Sequence, residues 1–245
     1  MSRYKLTIKY DGTLFYGWQI QPSLRTVQGE LEQALKHIMK SAERIPIYGS
    51  GRTDSGVHAI GQVAHFDLIT RLEEQDLKSA LNSYLSEDCR ITSIQKVKCN
   101  FHARFNALKR SYLYQCYKGE SILYRNQAWC LDKLNVKRLN KLALLIIGTH
   151  DFASFCKNRG NYIDNYCTVF NAEWKKKGDF INFFILGNRF LHHMVRYLVG
   201  TMIKFTKQSL PHEGFKSLLI NPEKDAKVQK APPQGLFLDK VFYAE

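Results

Sequence analysis

The chain has 245 residues, 44% of them hydrophobic, which is enough to bury a sizeable core. Its 36 Lys and Arg against 22 Asp and Glu give a formal net charge of +14, which indicates a polyanionic partner: nucleic acid first, a membrane surface second. The sequence has no run of 18 apolar residues, and its N-terminus alternates polar and apolar residues. We therefore expect neither a membrane span nor a targeting segment.

The six cysteines are scattered and never form a C-x-x-C pair. This spacing favours neither a zinc ribbon nor a redox pair, so we expect no metal site of that kind. Scattered cysteines are typical of a reducing compartment, and we expect the protein in the cytoplasm.

Periodicity predicts a first set of elements in the N-terminal half. Residues 4–10 alternate as in a strand, and apolar residues recur at helical spacing after Thr26, a candidate N-cap. The remaining elements predicted for this half are a short strand at 45–48, a strand at 62–68, a helix through 77–85 and a strand at 89–97.

A second set of similar elements follows. It comprises a strand at 111–117, a helix over 135–146, strands near 168–175 and 180–186, a helix starting near Asn188 and a closing strand at 235–243. The order predicts an α+β protein of two βαββαβ halves (split βαβ, ferredoxin- or RRM-like) with mainly antiparallel sheets. We place the halves at residues 1–107 and 108–245 and expect them to flank a central RNA-binding cleft. The polar stretch 224–234 is predicted to be a mobile loop.

The segment GSGRTDSGVHA, residues 49–59, places Arg52 and Asp54 in a glycine-rich connection between predicted strands, where functional loops concentrate. A plain turn would also explain it, because Asp-Ser-Gly is good turn chemistry. The loop lacks the lysine of a phosphate-binding loop and the third glycine of a dinucleotide fingerprint, which disfavours a nucleotide hydrolase.

Other candidate residues lie in the second half. Tyr112 and Tyr114 fall on one face of a predicted strand, either as core aromatics or with one ring available to stack on a base. Lys109 and Arg110 directly precede them, and such mixing of basic and aromatic residues suits RNA.

Arg196 lies on a predicted helix, where it could be an ordinary surface arginine. His192 and His193 precede it. As adjacent helical residues they are expected to face different ways, which argues against a metal site.

The loop resembles the signature of the TruA-type tRNA pseudouridine synthases, and the likeness extends over essentially the whole chain. Six further blocks match the family in the family's order: KYDGTLFYGWQIQP (9–22), GQVAHF (61–66), FHARFNALKRSYLY (101–114), GTHDFASF (148–155), GNRFLHHMVRYLVGTM (187–202) and APPQGLFLDKV (231–241). The chain departs from the common pattern at Ser50, Ser55, Ser86 and the stretch 157–166.

The resemblance implies roles for individual residues. Asp54 would be the catalytic carboxylate, Arg52 would help to extrude the target uridine, Tyr112 would be the active-site tyrosine, and Arg196 would pair with the aspartate. We assign Lys109 and Arg110 to substrate binding.

The resemblance also implies an isomerase that needs no cofactor and acts on uridines 38, 39 and 40 in the anticodon stem-loop of tRNA. Relatives of this type are homodimers, so a homodimer is expected. The alternative is a non-catalytic RNA-binding module with the same charge and sheets.

Overall fold

The computed structural model describes residues 1–132, 134–157, 164–223 and 226–244. These residues contain ten strands and five helices, and most strand pairs are antiparallel, which confirms the α+β class. The chain divides into two compact units, Met1–Leu108 with Phe237–Glu245, and Lys109–Leu236. The division into two βαββαβ halves stays a prediction.

Among the described residues, no helix is both long enough and apolar enough to cross a membrane.

The first unit has a twisted sheet with two helices. Its strands lie in the order β4-β1-β3-β10, with β2 on β3, and all its pairs are antiparallel except β3 with β10. The elements are β1 (Ser2–Tyr10), α1 (Val27–Ile38), β2 (Tyr48–Gly49), β3 (His58–Leu68), α2 (Glu74–Tyr84), β4 (Cys89–Val97) and β10 (Leu236–Phe242).

Alternate side chains of β1 face the core of the first unit, as the sequence predicts. Tyr4, Leu6 and Ile8 are buried, and the Tyr4 ring stacks on Phe66 of β3 with centroids 5.5 Å apart. The predicted cap at Thr26 is confirmed, because its hydroxyl accepts the Gly29 N–H at 3.2 Å and satisfies one orphan donor at the start of α1.

The second unit has a sheet in the order β5-β9-β8-β7, with β6 on β5. Its elements are β5 (Lys109–Lys118), β6 (Trp129–Leu131), α3 (Val136–Leu145), β7 (Gly148–Asp151), β8 (Tyr166–Lys177), β9 (Phe180–Gly187), α4 (Met194–Lys207) and α5 (His212–Ile220). The core is aromatic: the buried rings of Trp174 and Phe183 lie 4.9 Å apart, and the Trp174 N–H faces the sulfur of Met202 on α4 at 3.5 Å.

Two sequence predictions need correction, and two stretches singled out in the sequence lie partly outside the described residues. The helix predicted to start near Asn188 begins at Met194, because the Asn188 side chain accepts the N–H groups of Thr168 and Arg189 and so stabilises a loop conformation. The last predicted strand forms, but it pairs in parallel with β3 of the first unit. Most of the atypical stretch 157–166, namely 158–163, and residues 224 and 225 of the predicted mobile loop lie outside the described residues.

A buried histidine makes the first unit sensitive to acid. His65 on β3 is 2% exposed, and burial, assisted by nearby His102 and Arg3, lowers its pKa from 6.5 to about 4. Below pH 6.5 the unfolded chain binds a proton at this position that the folded chain does not bind. The free energy of unfolding therefore falls as the pH drops from 6.5 towards 4.

We expect this effect to reach up to about 2.5 kcal/mol by pH 4.5. Urea denaturation of the wild type and of His65→Gln at pH 7 and pH 4.5 measures it, because glutamine does not titrate. The variant should lose less stability over this range than the wild type. An equal loss in both proteins would contradict the assignment.

Candidate active site

The glycine-rich loop lies between β2 and β3 of the first unit, with Asp54 half-buried and Arg52 exposed. Its first residues are tied to β3: the Ser50 N–H donates to the Val63 carbonyl at 2.7 Å, and the Gln62 side-chain amide donates to the Gly51 carbonyl at 2.9 Å. The loop therefore starts from a fixed point on the sheet.

Thr53 is the loop's second anchor, directly before Asp54. Its hydroxyl is hydrogen-bonded to the Tyr10 hydroxyl at 2.8 Å in a buried position, and its carbonyl accepts the Trp18 N–H at 3.1 Å. Gly17 is required beside it: its φ is 88°, and a Cβ there would lie 2.6 Å from the Thr53 carbonyl oxygen. The segment 10–18 thus fixes the backbone next to the candidate carboxylate.

The turn expected around Asp54 exists, but backbone atoms close it. The Val57 N–H donates to the Asp54 carbonyl at 3.1 Å, and Gly56 has a φ of 75° that suits glycine. Main-chain atoms that any residue at position 54 would supply thus take part in closing the turn.

The Tyr10 contact is a loop anchor that sequence analysis missed. Periodicity placed Tyr10 on the buried face of β1, and the structure adds a polar role at its hydroxyl. We expect Tyr10→Phe to lower the free energy of unfolding by about 1 kcal/mol, because the buried Thr53 hydroxyl loses this hydrogen bond. Denaturant titration checks this, with Tyr16→Phe, at an exposed tyrosine, as the control; equal midpoints for both variants would contradict it.

The basic residues on β5 are positioned by the second unit. The Arg110 guanidinium donates to the Asn188 carbonyl at 2.9 Å, and the Lys109 ammonium lies 4.8 Å from the centre of the Phe170 ring. Lys109 is exposed and Arg110 half-buried. Both side chains are held in defined positions at the start of the strand.

The structure separates the two tyrosines of β5. Tyr114 is fully buried and its hydroxyl donates to the Pro232 carbonyl at 2.8 Å, so it belongs to the core, and burial raises its pKa well above its usual range. Tyr112 is half-buried, with its ring edge-to-face against Phe190 at 5.2 Å. Of the pair, Tyr112 is the one with surface to offer a ligand.

Arg196 is not a surface arginine. It lies on α4 with 7% of its area exposed, and its Nε–H donates to the Ala231 carbonyl at 2.9 Å. A buried guanidinium is costly unless its charge and donors are matched, so an incidental arginine is disfavoured at this position.

The prediction that His192 and His193 are helical residues that face different ways was wrong. His192 and His193 precede α4 instead of lying within it, His193 has a φ of 63°, and the two rings lie 4.0 Å apart. Helical geometry therefore does not separate them, and the absence of a metal site stays a prediction.

Asp54 and Arg52 thus lie in the first unit, and Lys109, Arg110, Tyr112 and Arg196 lie in the second. The first pair shares one anchored loop, while three of the other four share the start of β5. A carboxylate on a fixed loop can act as a nucleophile or a base, and the remaining groups can bind phosphate or stack on a base.

Comparison with known proteins identifies the family. Residues 6–106 and 142–244 match the family model described as tRNA pseudouridine synthase. Curated proteins named tRNA pseudouridine synthase A are 39% identical in Bacillus licheniformis and 40% identical in Bacillus subtilis, each covering 98% of this chain and 99% of the relative. The protein of that name from Brachyspira hyodysenteriae is 40% identical and covers 100% of both chains. The chain belongs to the tRNA pseudouridine synthase family.

Proposed function

We propose that this protein isomerises uridine to pseudouridine in the anticodon stem-loop of tRNA, at positions 38, 39 and 40. The observation that carries the proposal is the half-buried Asp54 on a loop whose neighbouring residue, Thr53, is anchored by a buried hydrogen bond to Tyr10. Family membership and the charge of +14 support a tRNA substrate.

The reaction breaks the N1–C1′ bond, turns the retained base and joins C5 to C1′; C5 loses a proton and N1 gains one. Atoms and electrons balance within the nucleotide, so the chemistry calls for no redox cofactor. It calls for an ionised carboxylate that attacks the nucleotide or accepts its proton. Asp54 takes this role, with attack at the base and attack at the ribose as the two routes open to it.

The other residues serve the same nucleotide in this proposal. Arg52, exposed on the loop, fills the space that the extruded uridine leaves. Tyr112 stacks on the uracil, and Arg196 supplies a positive charge that favours the ionised form of the carboxylate. Lys109 and Arg110 contact phosphates.

The direct test is release of tritium from tRNA transcripts labelled at C5 of uridine, followed by mapping of pseudouridine in the product. Turnover at positions 38 to 40 is expected. A protein that binds the transcript tightly and releases no tritium would be the alternative, a non-catalytic RNA-binding module.

We also infer a cytoplasmic homodimer with twofold symmetry, in which two strongly basic chains hold one folded RNA. Static light scattering at micromolar concentrations should give twice the chain mass of 28.5 kDa. A mass equal to one chain throughout this range would contradict the dimer.

A further inference from the structure

Four aromatic side chains of the first unit form a continuous cluster that reaches from a buried ring to the surface, here called the aromatic patch: Tyr48, His65, His102 and Phe105. Tyr48 stacks on His65 with centroids 5.2 Å apart, His102 meets the His65 ring at 4.6 Å, and Phe105 lies 4.3 Å from His102. The rings come from β2, β3 and the segment after β4.

Hydrogen bonds fix the two imidazoles of the patch. The His102 Nδ1 atom accepts the N–H groups of Arg104 at 3.1 Å and Phe105 at 3.2 Å, and the His65 Nδ1 atom accepts the Ala103 N–H at 3.2 Å. The turn that carries Phe105 is therefore built around His102. Ring positions that are set before a ligand arrives reduce the entropy lost on binding.

The outer rings of the patch are open to solvent. Phe105 is 76% exposed and Tyr48 is 51% exposed, whereas His65 beneath them is 2% exposed. Single exposed aromatics are common, but Tyr48 and Phe105 are joined through His65 and His102 into one cluster, and clustered exposed apolar surface marks interaction sites.

The charges beside the patch are positive. The Arg104 guanidinium lies 5.7 Å from the Phe105 ring centre. The Lys5 ammonium lies 5.6 Å from the centre of Phe101, whose ring meets His65 edge-on at 6.1 Å. The Arg3 guanidinium forms a salt bridge with the Asp67 carboxylate, with nitrogen and oxygen 2.6 Å apart. The imidazoles add no charge near neutral pH, because burial lowers the pKa of both His65 and His102.

Exposed aromatic rings flanked by cations are complementary to a ligand with a π-face and a negative charge. Unpaired nucleotides have both, since any base can stack and each phosphate carries a charge. An apolar helix of a protein partner would use the rings but would gain nothing from the positive charges beside them.

We propose that the aromatic patch binds an unpaired nucleotide of the RNA substrate by stacking its base on the exposed ring of Phe105. The inference rests on the proposed function only in taking RNA as the ligand. It assigns a second point of contact, which would orient the RNA while another nucleotide reacts.

Affinity for an unmodified tRNA transcript tests the site. Phe105→Ala is expected to raise the Kd at least about fivefold, and Phe105→Trp to keep it near the wild-type value, because stacking needs an aromatic ring. Phe105→Leu should behave like alanine. Ile69→Ala is the matched control, because Ile69 is also 76% exposed in the same unit and carries no ring.

Fluorescence gives a direct signal for stacking. The indole introduced by Phe105→Trp should be quenched by a single-stranded RNA oligonucleotide, whereas Ile69→Trp should respond weakly. Two of the native tryptophans, Trp18 and Trp174, are 2% exposed and contribute a constant background.

The outcomes separate this inference from the proposed function. If the wild type releases tritium from labelled tRNA but Phe105→Ala binds the transcript as tightly as wild type, the nucleotide site is overturned. Loss of dimer mass in Phe105→Ala with unchanged RNA affinity overturns it too, because the patch would then contact a second copy. If aromatic-dependent binding and quenching occur without tritium release, the site stands and the proposed activity fails.

Discussion

Asp54→Asn is expected to reduce tritium release from labelled tRNA below detection while the Kd for the same tRNA stays within about tenfold, roughly 1.4 kcal/mol. Asparagine keeps the size of aspartate but removes its charge and nearly all of its nucleophilicity. The loop should still fold, because the turn is closed by the Asp54 carbonyl and the Val57 N–H, both of which the variant retains. Binding should persist because phosphate contacts dominate affinity for RNA.

Two further variants of the same loop serve as controls. Ser55→Ala changes the exposed neighbour of Asp54 without removing a charge and should leave turnover near the wild-type rate. Arg52→Ala should reduce turnover without abolishing it, since the carboxylate remains and only extrusion of the uridine is slowed. All three variants are assayed by tritium release and filter binding on one preparation each.

The opposite result would be decisive. If Asp54→Asn released tritium at the wild-type rate, Asp54 would be a turn residue and the carboxylate would have to be sought elsewhere. Equal losses in Asp54→Asn and Ser55→Ala would instead indicate that the loop tolerates no substitution, with no specific role for the charge.

Much of the local structure could be predicted because it depends on local chemistry. Alternation in β1 and the hydroxyl of Thr26 determine a strand and a helix start within a few residues of chain. The loop carrying Asp54 was recognisable for the same reason, since glycine and turn residues are dense there. These features can be predicted from residues close together in the sequence.

The contacts that hold the site could not be predicted, because they join residues far apart in sequence. Tyr10 and Thr53 are 43 residues apart, and His65 and Ala103 are 38 apart. Each contact depends on strand register, which periodicity alone does not give. The partner of β10 was missed for the same reason, since alternation identifies a strand and leaves its neighbour open.

The start of α4 was predicted wrongly for a different reason. Its sequence pattern extends back to Asn188, yet the side chain of Asn188 binds two backbone N–H groups and His193 has a left-handed φ of 63°. Side-chain bonds to the backbone thus outweigh helical periodicity over six residues. The delayed start places Arg196 in the first turn of α4.

Arg196→Lys is expected to lower turnover about 100-fold, about 2.7 kcal/mol, while the protein stays folded and binds tRNA with a similar Kd. Lysine keeps the positive charge but has no planar fork of donors, and no group that reproduces the Nε–H bond to the Ala231 carbonyl. In the proposed function Arg196 favours the ionised form of the Asp54 carboxylate, and lysine keeps the sign of this charge but changes its position. Loss of one buried hydrogen bond should also cost about 1 kcal/mol of stability.

Arg138→Lys separates the catalytic role from that structural cost. Arg138 lies on α3 of the same unit, is half-buried and donates an Nη–H to the Leu210 carbonyl, so the substitution also removes a guanidinium bond to a backbone carbonyl. Urea denaturation should therefore show comparable losses of stability in the two variants. Tritium release at a temperature where both remain folded should fall only in Arg196→Lys. If both variants kept the wild-type rate, Arg196 would only link α4 to Ala231, and the proposed role of its charge in catalysis would be wrong.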